Sequence, residues 1–226
     1  MRLSGLYASI HIFVFLAFVN SIDPAAVMAL DAENIVKKME AAYAEVNDYE
    51  MRVEVRGPES EGSGKTERFI YTFKRPHTIR IEYESPHKGT ILIYPHKDGK
   101  VLVRPWKWMP VFQFHLKPDS IFLKAPSGQQ INETDMGLLI RNIAKSVKQG
   151  QRGEVSIMER DGQIHLRVPA ENHFRENMKT RYQFLIDKAL WLPVAIQEST
   201  LDGVVERTIT FHNLRVNIGV SDSLFQ

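Results

Sequence analysis

Three Pro-His pairs, Pro76-His77, Pro86-His87 and Pro95-His96, recur every nine or ten residues and are, by type, the side chains best suited to ligate a metal or move a proton. Their spacing suits neither task. Metal-binding histidines come at close helical or hairpin spacing with supporting carboxylates, whereas these fall one per strand junction, so they read as turn histidines and no metal is expected. The sequence has no nucleophile elbow, His-Glu-x-x-His pair, phosphate loop or dinucleotide fingerprint. A protein that is not an enzyme and takes no cofactor is the expectation. Charged chemistry then falls to Arg75. Counting by twos through Phe69, Tyr71 and Phe73 puts its guanidinium on the apolar side of a strand, unlike its neighbour Lys74. Two readings fit: Arg75 reaches backbone carbonyls at the ends of helices that cover the sheet, or, at the strand end before Pro76, it snorkels into water. Trp106 and Trp108, on either side of Lys107 and close to Pro110, likewise read as core or as an exposed tip that touches a membrane or a partner.

Strands must position these groups. Between residues 67 and 105, proline or glycine divides the chain into four short runs that alternate large apolar with polar residues. Phe69, Tyr71 and Phe73 take every second position of one run, and Ile79, Ile81 and Tyr83 do so in the next. Arg68, Thr72, Lys74, Thr78, Arg80 and Glu82 are left on the other face, the pattern of a half-buried antiparallel sheet. Tyr49, Met51, Val53 and Val55 predict a strand before these runs, with a hairpin loop over 57–65. Phe112, Phe114 and Leu116 predict one after them. Asp161-Gly162 joins strands near 154–159 and 163–168, and Asp202-Gly203 joins strands near 195–201 and 204–211; Tyr182, Phe184 and Ile186 alternate in a strand between the pairs. Asp31 caps a helix with Ile35, Met39, Ala42, Tyr43 and Val46 on one face. Thr134 caps a second, in which Met136, Ile140, Ile143 and Val147 share a face and which Gly150 ends. The sum is a mainly β chain with helices (α+β): about ten strands in a curved antiparallel sheet with two helices set against it.

Arg2, an apolar run over 6–19 and the small residues Val27 and Ala29 have the pattern of a signal peptide over 1–29, because the run falls short of the roughly 20 residues a membrane span needs; the alternative is an uncleaved N-terminal anchor. Residues 30–226 suffice for one domain that buries roughly 70% of its unfolded surface. No cysteine is present, so neither disulfides nor a lipid on an N-terminal cysteine supports an exported chain, and its stability must come from the core. The net charge of +2, unchanged by loss of Arg2 and Asp23, argues against nucleic acid as a partner. The expected address is the periplasm, or secretion if the host is not Gram-negative.

Phe73-Lys74-Arg75-Pro76, followed by Ile79, Ile81 and Tyr83, then Ser85-Pro86, then Asp98-Gly99 before a strand that ends at Pro105, resembles the periplasmic lipoprotein carriers of the LolA/LolB-like superfamily. Thr134-Asp135-Met136-Gly137-Leu138-Leu139-Ile140 is similar to the family's internal lid helix, Asp222-Ser223-Leu224-Phe225 to its closing strand, and the region 86–137 to a less characterised branch. The resemblance covers most of the chain after residue 29, through short motifs. It implies an incomplete antiparallel β-barrel whose open side is covered by helices around an apolar cavity for acyl chains. Phe69, Tyr71, Phe73, Ile79, Ile81 and Tyr83, with Leu139 and Ile143 from the lid, would line it. Arg75 takes the position of an arginine that hydrogen-bonds to the lid and holds the empty form shut. The implied partners are an acylated lipoprotein or another envelope lipid, an inner-membrane donor and an outer-membrane acceptor, reached by a monomer in transient contact with the membrane surface. The chain ends at Gln226, directly after Phe225, without the shuttling carrier's C-terminal extension, and it has no lipid-bearing cysteine like the acceptor's, so a cargo other than lipoproteins is equally expected. An envelope-stress sensor that detects mislocalised lipids or lipoproteins with the same cavity is the alternative, although this length leaves no room for a second domain. A plain structural domain, its apolar face filled by its own side chains, is the third reading.

Overall fold

The computed structural model describes residues 31–58, 66–106, 108–109, 111–123, 129–150, 154–173, 175 and 177–226. The expected signal peptide, most of the loop at 57–65, Lys107 and Pro110 lie outside the described residues. Helix α1, Ala32–Ala44, begins where the Asp31 carboxylate accepts a hydrogen bond from Asn34 N at 2.6 Å, and it buries Ile35, Val36 and Met39. The strands are β1 Asp48–Arg56, β2 Thr66–Lys74, β3 Thr78–Ser85, β4 Ile91–Tyr94, β5 Val101–Arg104, β6 Phe114–Leu116, β7 Ser156–Arg160, β8 Gln163–Glu171, β9 Lys179–Asp187, β10 Leu192–Ser199 and β11 Val205–Val216; α2, Met136–Gln149, falls between β6 and β7.

All eleven described strands form one antiparallel sheet in the order β6-β5-β4-β3-β2-β1-β11-β10-β9-β8-β7. Its edges, β6 and β7, do not pair with each other, so the architecture is an incomplete β-barrel with two helices against one face. Register explains why that face is apolar. Tyr49 pairs with Phe73 and Phe73 with Ile79; Met51 pairs with Tyr71, and Tyr71 with Ile81; Val53 pairs with Phe69, and Phe69 with Tyr83. The alternation in each strand is thereby stacked into continuous rows across β1, β2 and β3. Ile164, Leu166 and Val168 of β8 and Tyr182, Phe184 and Ile186 of β9 extend the same core on the other side, and α1 and α2 cover it with Ile35, Met39, Ile140 and Ile143. The β7–β8 hairpin turns through Asp161 (φ 52°) and Gly162 (φ 75°), the conformation for which Asp-Gly is selected.

Two local expectations are corrected. Asp135, not Thr134, caps α2, accepting from Leu138 N at 2.9 Å. A 3-10 turn at Ile131–Glu133 precedes the helix and takes Thr134 as its end, with Thr134 Oγ1 donating to Ile131 O at 2.7 Å. Replacing Asp135 with Ala is expected to cost about 1 kcal/mol and lower Tm by about 2–4 °C, read by thermal unfolding. The segment Asp222–Phe225 is a 3-10 turn, not a closing strand: Gly219 (φ 72°) bends the chain after β11, and Ser221 caps the turn. Phe225 packs on Ile91, Ile93 and Leu102 on the face of the sheet away from the helices, while Lys74 Nζ donates to Val220 O at 2.8 Å and pairs with Asp222 at 2.5 Å.

Burial raises the pKa of the core phenols, with Tyr83 and Tyr182 pushed up to about 12 and Tyr49 well above its ordinary value. Above about pH 10 the unfolded chain gives up these protons while the folded one keeps them. Stability is therefore expected to hold up to about pH 10 and to fall across about pH 10–12, as denaturant titrations at stepped pH would record.

Candidate functional site

The apolar rows have two distinct ends. The β2–β3 turn with Arg75, the start of β1 and the β4–β5 turn share one end, where His77 Nδ1 lies 3.8 Å from Asp135 Oδ2 at the start of α2. Strand direction puts the β3–β4 turn and the β5–β6 loop at the other end, where Thr90 Oγ1 donates to Pro105 O at 2.9 Å.

At the first end the face is covered. Tyr71, Phe73, Ile79, Ile81 and Ile143 are buried in the core cluster, and Leu139 of α2 is half-buried against it. Here the expected lining residues pack on the helices' own side chains. Polar ties hold the helices down: the Tyr49 hydroxyl accepts from Met136 N at 3.0 Å, and the Tyr71 hydroxyl lies 3.1 Å from Thr134 Oγ1. At Gly137 α2 passes so close to α1 that an added Cβ would meet Tyr43 Cε1 at 2.5 Å.

Arg75 stands at the rim of this end and is exposed, although counting by twos aimed it inward. The count fails because β2 ends at Lys74 and Arg75 already belongs to the turn. Its guanidinium nonetheless reaches helix-end carbonyls. Nε donates to Val46 O, Nη2 donates to Tyr43 O at 2.8 Å, and the group sits 5.1 Å from the Tyr43 ring centroid. The tie is to the C-terminal end of α1, where unpaired carbonyls favour a cation, rather than to α2. Beneath it lies a cavity of about 340 Å³ lined by Tyr43, Phe73, Arg75, His77, Glu133, Asp135 and Arg141 among others. Its charged walls suit a polar group better than an acyl chain.

The second end is different. Phe69 and Tyr83, tilted together at 5.4 Å, are only half-buried, and so are Val55, Ile209 and Phe211, which register places on the same face through the pairs Val53–Phe211 and Val55–Ile209. These five make a half-exposed apolar strip packed against the margin of the core cluster. The sequence reading placed Phe69 and Tyr83 on this face but left out Ile209 and Phe211, because alternation shows that a strand has an apolar side and not which distant strand it pairs with; pairing with β1 sets them beside Val53 and Val55. Trp106 and Trp108 are not core: they are 46% and 74% exposed in the β5–β6 loop.

His77, His87 and His96 do not converge on one site. His87 meets the edge of Tyr83, while His96 Nδ1 and His115 Nε2 lie 3.0 Å apart. Among the described residues no three metal-ligating side chains come together, and no described helix is long and apolar enough to cross a membrane.

No family model matches the sequence, and no curated protein matches it. Solved structures with a similar course of the chain include a DUF1329 family protein from Desulfovibrio piger, 12% identical over 86% of this chain and 95% of that one, with a TM-score of 0.46. A putative outer membrane lipoprotein-sorting protein domain from Vibrio parahaemolyticus is 11% identical over 87% and 97%, with a TM-score of 0.40. The Mycobacterium tuberculosis lipoprotein LppX is 10% identical over 84% and 97%, with a TM-score of 0.47.

Proposed function

We propose that this chain is an exported, non-enzymatic binding protein of the cell envelope, which holds the acyl chains of a lipoprotein or another envelope lipid against the helix-covered face of its sheet and moves them between membranes. One observation carries the reading. The apolar rows are buried with α1 and α2 toward the Arg75 end and run out, at the other, into the half-exposed apolar strip of Val55, Phe69, Tyr83, Ile209 and Phe211, which on this reading is the groove that receives cargo. An acyl chain laid in that groove continues a surface that the helices already cover, and it gains room by lifting them. The sheet itself stays intact, because its strands pair only with one another and α1 and α2 join no ladder.

Energetics favour carriage over capture. Each methylene is worth about 0.8 kcal/mol whether it leaves water for a bilayer or for a protein groove, so transfer between the two is nearly neutral. Small biases then set direction, and the Arg75 tie that closes α1 over the core is one of them. The test is native mass spectrometry, with organic extraction, of the protein purified without detergent from its host's envelope. A bound acylated species is the expected result, and its mass names the cargo. Protein that is empty as isolated and after incubation with host lipids and a lipoprotein would overturn the proposal.

A further inference from the structure

The β5–β6 loop and the strand it leads into expose a run of side chains that the fold does not use. Trp106, Trp108, Val111, Phe112 and Phe114 are all exposed, Val111 at 85%, and none belongs to either core cluster. They are not splayed apart: the Trp106 ring lies 6.5 Å from Trp108 and 6.2 Å, edge to face, from Phe112. A soluble surface rarely keeps such a group without a partner. The composition around it selects the partner. From residue 100 to 118 the sequence carries Lys100, Arg104, Lys107 and Lys117 and not one Asp or Glu, in a chain whose charges otherwise nearly balance. Tryptophan interleaved with cations is the chemistry of a bilayer interface, where the indole sits at headgroup level and the cations meet anionic lipid. Position agrees, since this loop stands at the end of the sheet where Phe69 and Tyr83 are half-exposed, opposite the Arg75 end.

We infer that the β5–β6 loop docks the protein on an anionic phospholipid surface, setting the open end of the groove against the bilayer. The docking does not depend on the acyl-binding reading, although it supplies that reading with a loading direction.

Trp191 provides an internal control. It lies in the turn between β9 and β10, which strand direction places at the Arg75 end, with Lys38 Nζ 4.3 Å from its ring. The purified protein is floated with vesicles of phosphatidylglycerol or of phosphatidylcholine, and tryptophan emission is read with brominated acyl chains in each. Expected are flotation with phosphatidylglycerol at least about tenfold stronger than with phosphatidylcholine, weakened by salt, and quenching that disappears in Trp106→Phe/Trp108→Phe, where only Trp191 still emits. Trp108→Ser/Val111→Ser, at the two most exposed of these positions, is expected to weaken association about tenfold with an unchanged Tm. Wild-type protein that ignores phosphatidylglycerol, or that floats with Trp106 and Trp108 unquenched, would overturn the inference. So would a photo-crosslink from position 111 to an envelope protein in a chain that binds no vesicle, which would assign the loop to a protein partner. A chain that floats but yields no acylated species keeps this docking face and loses the proposed cargo; one that carries lipid but never floats does the reverse.

Discussion

Phe73→Ala is expected to destabilise the protein by about 3–5 kcal/mol, whereas Phe69→Ala, two residues earlier on the same face, is expected to cost less than half as much. The two rings differ in what covers them. Phe73 is 2% exposed, stacks on Tyr49 at 4.9 Å and pairs across the sheet with Tyr49 and Ile79, so truncation leaves a void that the helices and three strands cannot close. Phe69 is half-buried, tilted against Tyr83 at the margin of the core, so truncation leaves a smaller void. Urea unfolding of both variants measures the difference as a shift in midpoint at constant slope. Affinity for a fluorescent fatty acid should rank them in the opposite order, since the groove loses a wall in Phe69→Ala and the loss at Phe73 lies under the helices. Equal costs of unfolding would mean that the groove is closed in solution and that the apolar face is one filled core. That outcome would favour a purely structural role.

The contrast also marks what the sequence could reveal. Period-two alternation identified Phe69, Tyr71, Phe73, Ile79, Ile81 and Tyr83 as one face, because side-chain direction along a strand is fixed locally. It could not tell the covered end of the face from the open one, since coverage depends on where two helices distant in sequence come to rest. Arg75 illustrates the same limit at a shorter range: alternation assigned it to the interior, but the strand stops one residue earlier and the side chain reaches α1 from the rim. Trp106 and Trp108 were ambiguous for another reason. An alternating aromatic pair has the same pattern in an edge hairpin as in a core strand, and only the absence of a covering layer over the loop distinguishes them. The closing strand expected at 222–225 failed because Gly219 and the Ser221 cap bend the chain into a turn, which still does a strand's work of covering β4 and β5 through Phe225.

Arg75→Leu combined with Asn217→Ala is expected to release the C-terminal end of α1 at a cost of about 2 kcal/mol, which corresponds to roughly thirtyfold faster exchange of the α1 amides if they exchange by lifting of the helix. The helix ends at Ala44, and side chains from outside it hold the carbonyls at and just after that end: Arg75 takes those of Tyr43 and Val46, and Asn217 Nδ2 donates to Glu45 O at 3.0 Å. Arg75 is exposed, so its own share is about 1 kcal/mol, the ordinary worth of a cation at a helix C-terminus at the surface. Arg75→Leu alone should therefore speed α1 exchange only about fivefold, with Asn217 still holding the end. The amides of α2 are the control, because Asp135, Tyr49 and the Tyr71–Thr134 contact anchor its first turn independently of Arg75. If α1 is the element that yields to an arriving acyl chain, the double variant should also load a fluorescent fatty acid faster, with an apparent affinity higher by up to the same factor as the exchange rate. Faster exchange without faster loading would mean that cargo occupies the groove at Phe69 and Tyr83 with α1 still closed, and Arg75 would then be a helix cap with no part in carriage. Unchanged exchange would dismiss the arginine as a lock altogether.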